Sequence, residues 1–128
     1  MSYYFSKILA TGFEDAIKRT TAALQSQGFG IITEVDVQQT LKDKIGVDFR
    51  KYRILGACNP KLAHEALQIE DKVGTMLPCN VVVQEIGKEK TEIAAIDPVA
   101  SMQAVENPKL KEAATRVGNL LKNAVDAI

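Results

Sequence analysis

One stretch limits the folds open to this chain more than any other: residues 52–96, where strand, helix, strand and strand follow with almost no spacer. Tyr52–Ala57 is apolar and reads as a strand. Asn59-Pro60 then supplies a helix start, the asparagine as cap and the proline at the first helical position, where a missing N–H costs nothing. The helix runs to about Asp71 with Leu62, Ala63, Ala66 and Leu67 inward, and Pro78 leads into a strand over Cys79–Ile86. Its Val81-Val82-Val83 run calls for burial on both faces or a central position. Gly87–Lys90 is a polar turn of hairpin length, which makes Thr91–Ile96 the antiparallel neighbour. A hairpin here disfavours a doubly wound parallel sheet.

The flanking segments complete an α+β pattern. Residues 2–10 read as a first strand, and Thr11 with Glu14 reads as a capping box that opens a helix. Phe13, Ile17 and Leu24 give that helix an apolar face until Gly28 offers a left-handed stop. Residues 29–37 alternate, with Phe29, Ile31, Thr33, Val35 and Val37 on one side of a half-buried strand. Asp36 caps a short helix carrying Val37, Leu41 and Ile45, ended by Gly46. Asp97-Pro98 and Asn107-Pro108 repeat the Asn59-Pro60 device, and the last helix runs from Pro108 with Leu110, Val117 and Ala124 on one face. The expected architecture is one domain over residues 1–128: a two-layer α+β fold with a single, mostly antiparallel sheet of about five strands and helices packed on it.

Charge and composition narrow the function classes. Sixteen basic residues balance sixteen acidic ones, so no long-range field gathers nucleic acid or an anionic membrane surface. No run approaches the roughly 20 apolar residues that span a bilayer, and the N-terminus lacks a basic region followed by an apolar core. The reading is cytoplasmic, with two cysteines kept reduced. Lys42, Lys44, Arg50, Lys51 and Arg53 are diluted by Asp43 and Asp48 and read as a solvated face, with an anion contact as the other reading. Gly28-Phe29-Gly30 is no dinucleotide loop, because its glycines precede a strand instead of opening a helix.

What chemistry the sequence offers is concentrated between Cys58 and Cys79. Cys58 stands at a strand end beside the Asn59 cap, where the positive end of a helix dipole favours a thiolate. Cys79 opens the next strand, and the only histidine, His64, lies between them. Cys58, Asn59, His64 and Cys79 are the candidate ligand-binding residues. Cys58, His64 and Cys79 are the candidate metal set, since zinc or copper accepts thiolate and imidazole and three protein ligands leave an open position. The same residues also fit blander roles. Free cysteine is commonly a small buried hydrophobe, and His64 falls on the helical wheel near Lys61 and Gln68, away from the apolar face. No nucleophile elbow, Walker loop or Cys-x-x-Cys is present, so neither a reaction nor a cofactor is specified.

Gly56-Ala57-Cys58-Asn59-Pro60, Ala63-His64-Glu65-Ala66-Leu67, Leu77-Pro78-Cys79-Asn80-Val81, and Asp97-Pro98 with Met102 resemble the bacterial domain-of-unknown-function family 302 over nearly the whole chain. The resemblance implies a two-layer α+β fold and a homodimer, places Cys58, Asn59, Pro60, His64, Pro78 and Cys79 on family-pattern positions, and supplies no activity. The leading expectation is a small binding or sensing domain taking a metal ion, a thiol-reactive species or a small anion near Cys58. Its rivals are a structural or dimerisation module without chemistry, and a thiol-dependent redox enzyme.

Overall fold

The computed structural model describes residues 2–128. Five strands, β1 (Tyr4–Leu9), β2 (Gly30–Asp36), β3 (Tyr52–Cys58), β4 (Cys79–Gly87) and β5 (Lys90–Ile96), form one sheet in the order β1-β5-β4-β3-β2. Every neighbouring pair is antiparallel. The valine run therefore occupies the middle strand, as its composition requires. Helices α1 (Phe13–Ser26) and α5 (Pro108–Ala127) lie across one face, while α2 (Val37–Ile45) follows the β2 edge. Helix α3 (Pro60–Ile69), a 3-10 turn over Asp71–Met76 and a short α4 (Pro98–Ser101) build outward against α5.

Strand alternation decides which side chains meet the helices. Val81 pairs with Leu55 and with Ala95, and Val83 pairs with Ile93, so these side chains share the covered face and are buried together. Helices α1 and α5 close that core with Phe13, Ala16, Leu24, Leu121, Ala124 and Val125. The opposite face carries Tyr4, Ile8 and Val35, all exposed, with Ile54, Val82 and Ala94 partly buried among them. No helix of the described residues is long and apolar enough to cross a membrane.

Helix boundaries follow cap chemistry. Asn59, Asp97 and Asn107 each accept a backbone N–H with their side-chain oxygen, from Leu62, Val99 and both Lys109 and Leu110, respectively. Asp36 does the same for Gln39 at the start of α2. The expected capping box of Thr11 and Glu14 does not form. Gly12 is the N-cap of α1 without a side-chain bond, and the Thr11 hydroxyl donates instead to Asp15 at 2.7 Å. The Thr11 carbonyl is engaged by the buried Thr91 hydroxyl at 2.9 Å, a contact across 80 residues that fixes the chain before the helix begins.

A bulge in β2 also corrects the simple alternation. Ile31 pairs with Ala57, but Thr33 pairs with Gly56, so the register shifts by one between them. Ile32 is left 61% exposed, Thr33 and Val35 turn to the outer face, and Glu34 turns to the helix side, where it meets Arg53 at 3.1 Å. The shift needs a gap at Gly56. A Cβ there would stand 2.0 Å from Thr33 Oγ1 and 2.7 Å from Pro78 Cγ.

Candidate functional site

Strand pairing brings the two cysteine-bearing ends together. Ala57 pairs with Cys79, so the last residue of β3, Cys58, and the first of β4, Cys79, lie at one end of the sheet. Asn59 follows at once and caps α3, whose inner residues Leu62, Ala63 and Ala66 then rise over that end. Across from them α5 presents Leu110, Ala113, Ala114 and Val117. Alanine side chains on both helices leave the space between the walls unfilled, and a cavity of about 350 Å³ opens there. Its lining includes Cys58 and Cys79 at the strand ends and Met102 beyond α4, and Asn59 contributes the only lining side chain that carries nitrogen or oxygen.

The two thiols differ in setting. Both are free; Cys58 is partly buried and Cys79 is 7% exposed. Burial, with a smaller contribution from the neighbouring Cys58, pushes the Cys79 thiol up to about 11. Cys79 is therefore a protonated, neutral thiol in the wall near neutral pH. The Asn59 amide is oriented by its cap: Oδ1 accepts from the Leu62 N–H at 3.3 Å, and Nδ2 has no hydrogen-bond partner among the described residues. Gly28, at φ +87°, passes so close that a Cβ would stand 2.9 Å from Asn59 Nδ2, so glycine keeps that donor clear.

His64 does not join this group. Helical geometry turns residues 62, 63 and 66 toward the cavity and residues 61, 64, 65 and 68 away from it. His64 instead borders an open hollow with Lys61, Glu65, Gln68, Asn107 and Lys109, its Nε2 at 3.4 Å from Gln68 Nε2. The set Cys58, His64 and Cys79 is thus split between two surfaces of α3. Among the described residues no group of three or more His, Cys, Asp and Glu side chains is arranged to hold a metal ion.

Neighbouring charges are engaged within the fold. Arg53 reaches Glu14, Glu34 and Asp36 at 3.7, 3.1 and 3.6 Å, and Lys42 reaches Asp48 at 2.8 Å. Arg50 lies over the Phe49 ring at 4.4 Å and donates to Gln84. Arg116 donates to Glu65, tying α5 to α3 beside the cavity, and this pairing raises the guanidinium pKa. In the basic stretch from 42 to 53, Lys42, Lys44, Arg50 and Lys51 are exposed, and Lys42 and Arg53 are the two paired with carboxylates among the described residues.

Sequence patterning gave the inward faces of α3 and α5, with Leu62, Ala63, Ala66, Leu110 and Val117, but not that these two faces meet over Cys58, Asn59 and Cys79. Met102 and the α5 residues are distant in the chain, and the signal that could have shown the meeting is the pairing of small residues, Ala63 and Ala66 with Ala113 and Ala114, on two helices that start from the same cap chemistry.

Comparison with known proteins gives a consistent result. The family model "Domain of unknown function DUF302" matches residues 5–128. A crystal structure of an uncharacterized conserved DUF302 protein from Bacillus stearothermophilus has the same fold, with a TM-score of 0.91 and 30% identity over 99% of this chain and 98% of that one. No curated protein matches the chain. The matched span takes in every residue that lines the cavity, from Phe29 to Val117, and the chain belongs to the DUF302 family.

Proposed function

We propose that the protein is a small binding or sensing domain that takes a largely apolar small molecule into the cavity behind Cys58 and Asn59. The cavity carries this reading. Protein interiors pack at nearly the density of organic crystals and leave few voids larger than a water molecule. A hollow of about 350 Å³ falls at the lower end of the roughly 300–1,000 Å³ typical of small-molecule sites, which are also mainly apolar with a few placed polar groups. Here the placed groups are Asn59 Nδ2 and the two thiols. The lining offers no cationic side chain, which argues against a small anion at this position. Two free thiols suit a reducing, cytoplasmic setting.

The test is titration of the folded protein with 1-nonanol, followed by amide and methyl NMR. Shifts confined to Ala66, Met102, Leu110 and their neighbours support the site. Ala63→Phe fills the space from a partly buried position and is expected to abolish those shifts while the rest of the spectrum persists. Equal binding by wild type and Ala63→Phe would place the molecule elsewhere.

A second observation supports a homodimer through the sheet's outer face. That face exposes Tyr4 at 42% and Ile8 at 54%, with Val35 beside partly buried Ile54 and Val82. Arg50 Nε donates to Gln84 Oε1 and Gln84 Nε2 to Glu92 Oε1, both at 2.9 Å. A cation and an anion are thereby held on one surface. A two-fold axis through such a surface sets each charge against its opposite in a second copy, the self-complementarity that an isologous interface needs.

A further inference from the structure

The cavity's lining combines a nucleophile, a hydrogen-bond donor and apolar walls, and this combination points to a chemical class. Cys58 and Asn59 are consecutive and both line it. The Asn59 amide cannot rotate to offer its oxygen, because Oδ1 is committed to the Leu62 N–H and only Nδ2 remains for an incoming group. Nδ2 is also the sole nitrogen donor among the lining side chains. A molecule seated here therefore gains from one acceptor at its head and an apolar body behind. Cys79, buried at 7% exposure, lines the same space.

The geometry points to capture of an apolar α,β-unsaturated aldehyde or ketone, the Cys58 sulfur adding to the alkene while Asn59 Nδ2 holds the carbonyl oxygen. This inference rests on the cavity being a small-molecule site. In the step, a bond forms between Cys58 Sγ and the β-carbon. The alkene π pair moves toward the carbonyl, where Nδ2 meets the negative charge that develops on oxygen. The thiol proton ends on the α-carbon. Nothing leaves and no oxidant or reductant is consumed. Addition uses sulfur as the nucleophile, and partly buried Cys58 is the thiol that solvent-borne reagents reach. Cys79 is shielded by burial and stays outside the step.

The experiment is reaction of the folded protein with trans-2-nonenal, followed by intact and peptide mass spectrometry, with glutathione as the reference thiol. One adduct per chain is expected at Cys58, formed about tenfold or more faster than with glutathione, because the apolar tail is held in the cavity. Cys58→Ser should give no adduct, and peptide mapping of the wild-type product should place the added mass on Cys58. Asn59→Ser keeps a capping oxygen but loses the amide donor; its nonenal rate should fall about fivefold, the equivalent of one neutral hydrogen bond. Its alkylation by iodoacetamide should be unchanged, which separates carbonyl positioning from thiol access. A nonenal rate no higher than glutathione's, or an adduct on Cys79 instead, overturns the proposal. Nonanol shifts with no rapid adduct would overturn capture while leaving the cavity as a binding site; absence of both would remove the two readings together.

Discussion

Single side chains here carry costs that substitution can expose. Thr20 is 1% exposed within α1, and its Oγ1 has no hydrogen-bond partner among the described residues. A buried hydroxyl without a partner costs on the order of 1–3 kcal/mol, so Thr20→Val should raise stability by about 1 kcal/mol in urea unfolding. Cys79 makes a pH-dependent prediction. Its thiol is pushed up to about 11 from the usual 9.0, first by burial and then by charge on Cys58. The folded state therefore keeps a proton that the unfolded chain has already lost. That contribution to stability is full below pH 9 and drains away as pH rises toward 11. Relative to Cys79→Ala, wild type should lose about 2–3 kcal/mol across this window; identical pH curves for the two proteins would remove the buried-thiol account. Residue chemistry in the sequence identified both cysteines and Asn59 as candidates. It could not rank the thiols, because burial of Cys79 and partial access to Cys58 depend on where α3 and α5 close over the strand ends.

At the scale of elements, what was legible was whatever local chemistry determines. Asn59-Pro60, Asp97-Pro98 and Asn107-Pro108 each start a helix in the structure, since an acceptor side chain and a preset proline act within one turn. Asn107→Ala should therefore cost about 1 kcal/mol by thermal or chemical unfolding, as its Oδ1 accepts from both Lys109 and Leu110. Cap replacement by Asp or Ser should restore most of the loss. Two elements escaped local reasoning for the same physical cause. The start of α1 is set by the Thr91 hydroxyl holding the Thr11 carbonyl, and the phase of β2 is set by its bulge against Gly56. Both depend on partners that only tertiary structure supplies. The 3-10 turn over Asp71–Met76 likewise has no strong sequence mark beyond Gly74.

For the whole molecule, the hairpin of β4 and β5 and the valine run of β4 were enough to anticipate a single antiparallel sheet with β4 inside it. The covered face, the outer face and the cavity were not legible, because each is a relation between elements far apart in sequence. If two copies pair through the outer face, Ile8→Lys should leave a folded monomer by sedimentation velocity, since Ile8 is exposed and its strand partner is Glu92. Wild-type protein that sediments as a monomer at high micromolar concentration would rule that pairing out. One feature of the sheet reaches all of these surfaces. At Gly56 the β2 bulge and the Pro78 ring lean into space that any larger residue would occupy. Thr33 on one side belongs to the outer face, and Pro78 on the other lines the cavity and precedes Cys79. A single methyl group at Gly56 would have to move both of them, so the cavity wall and the sheet's outer face share one tolerance. A change that loosens the bulge on the outer face thereby also shifts the wall that Pro78 forms ahead of Cys79.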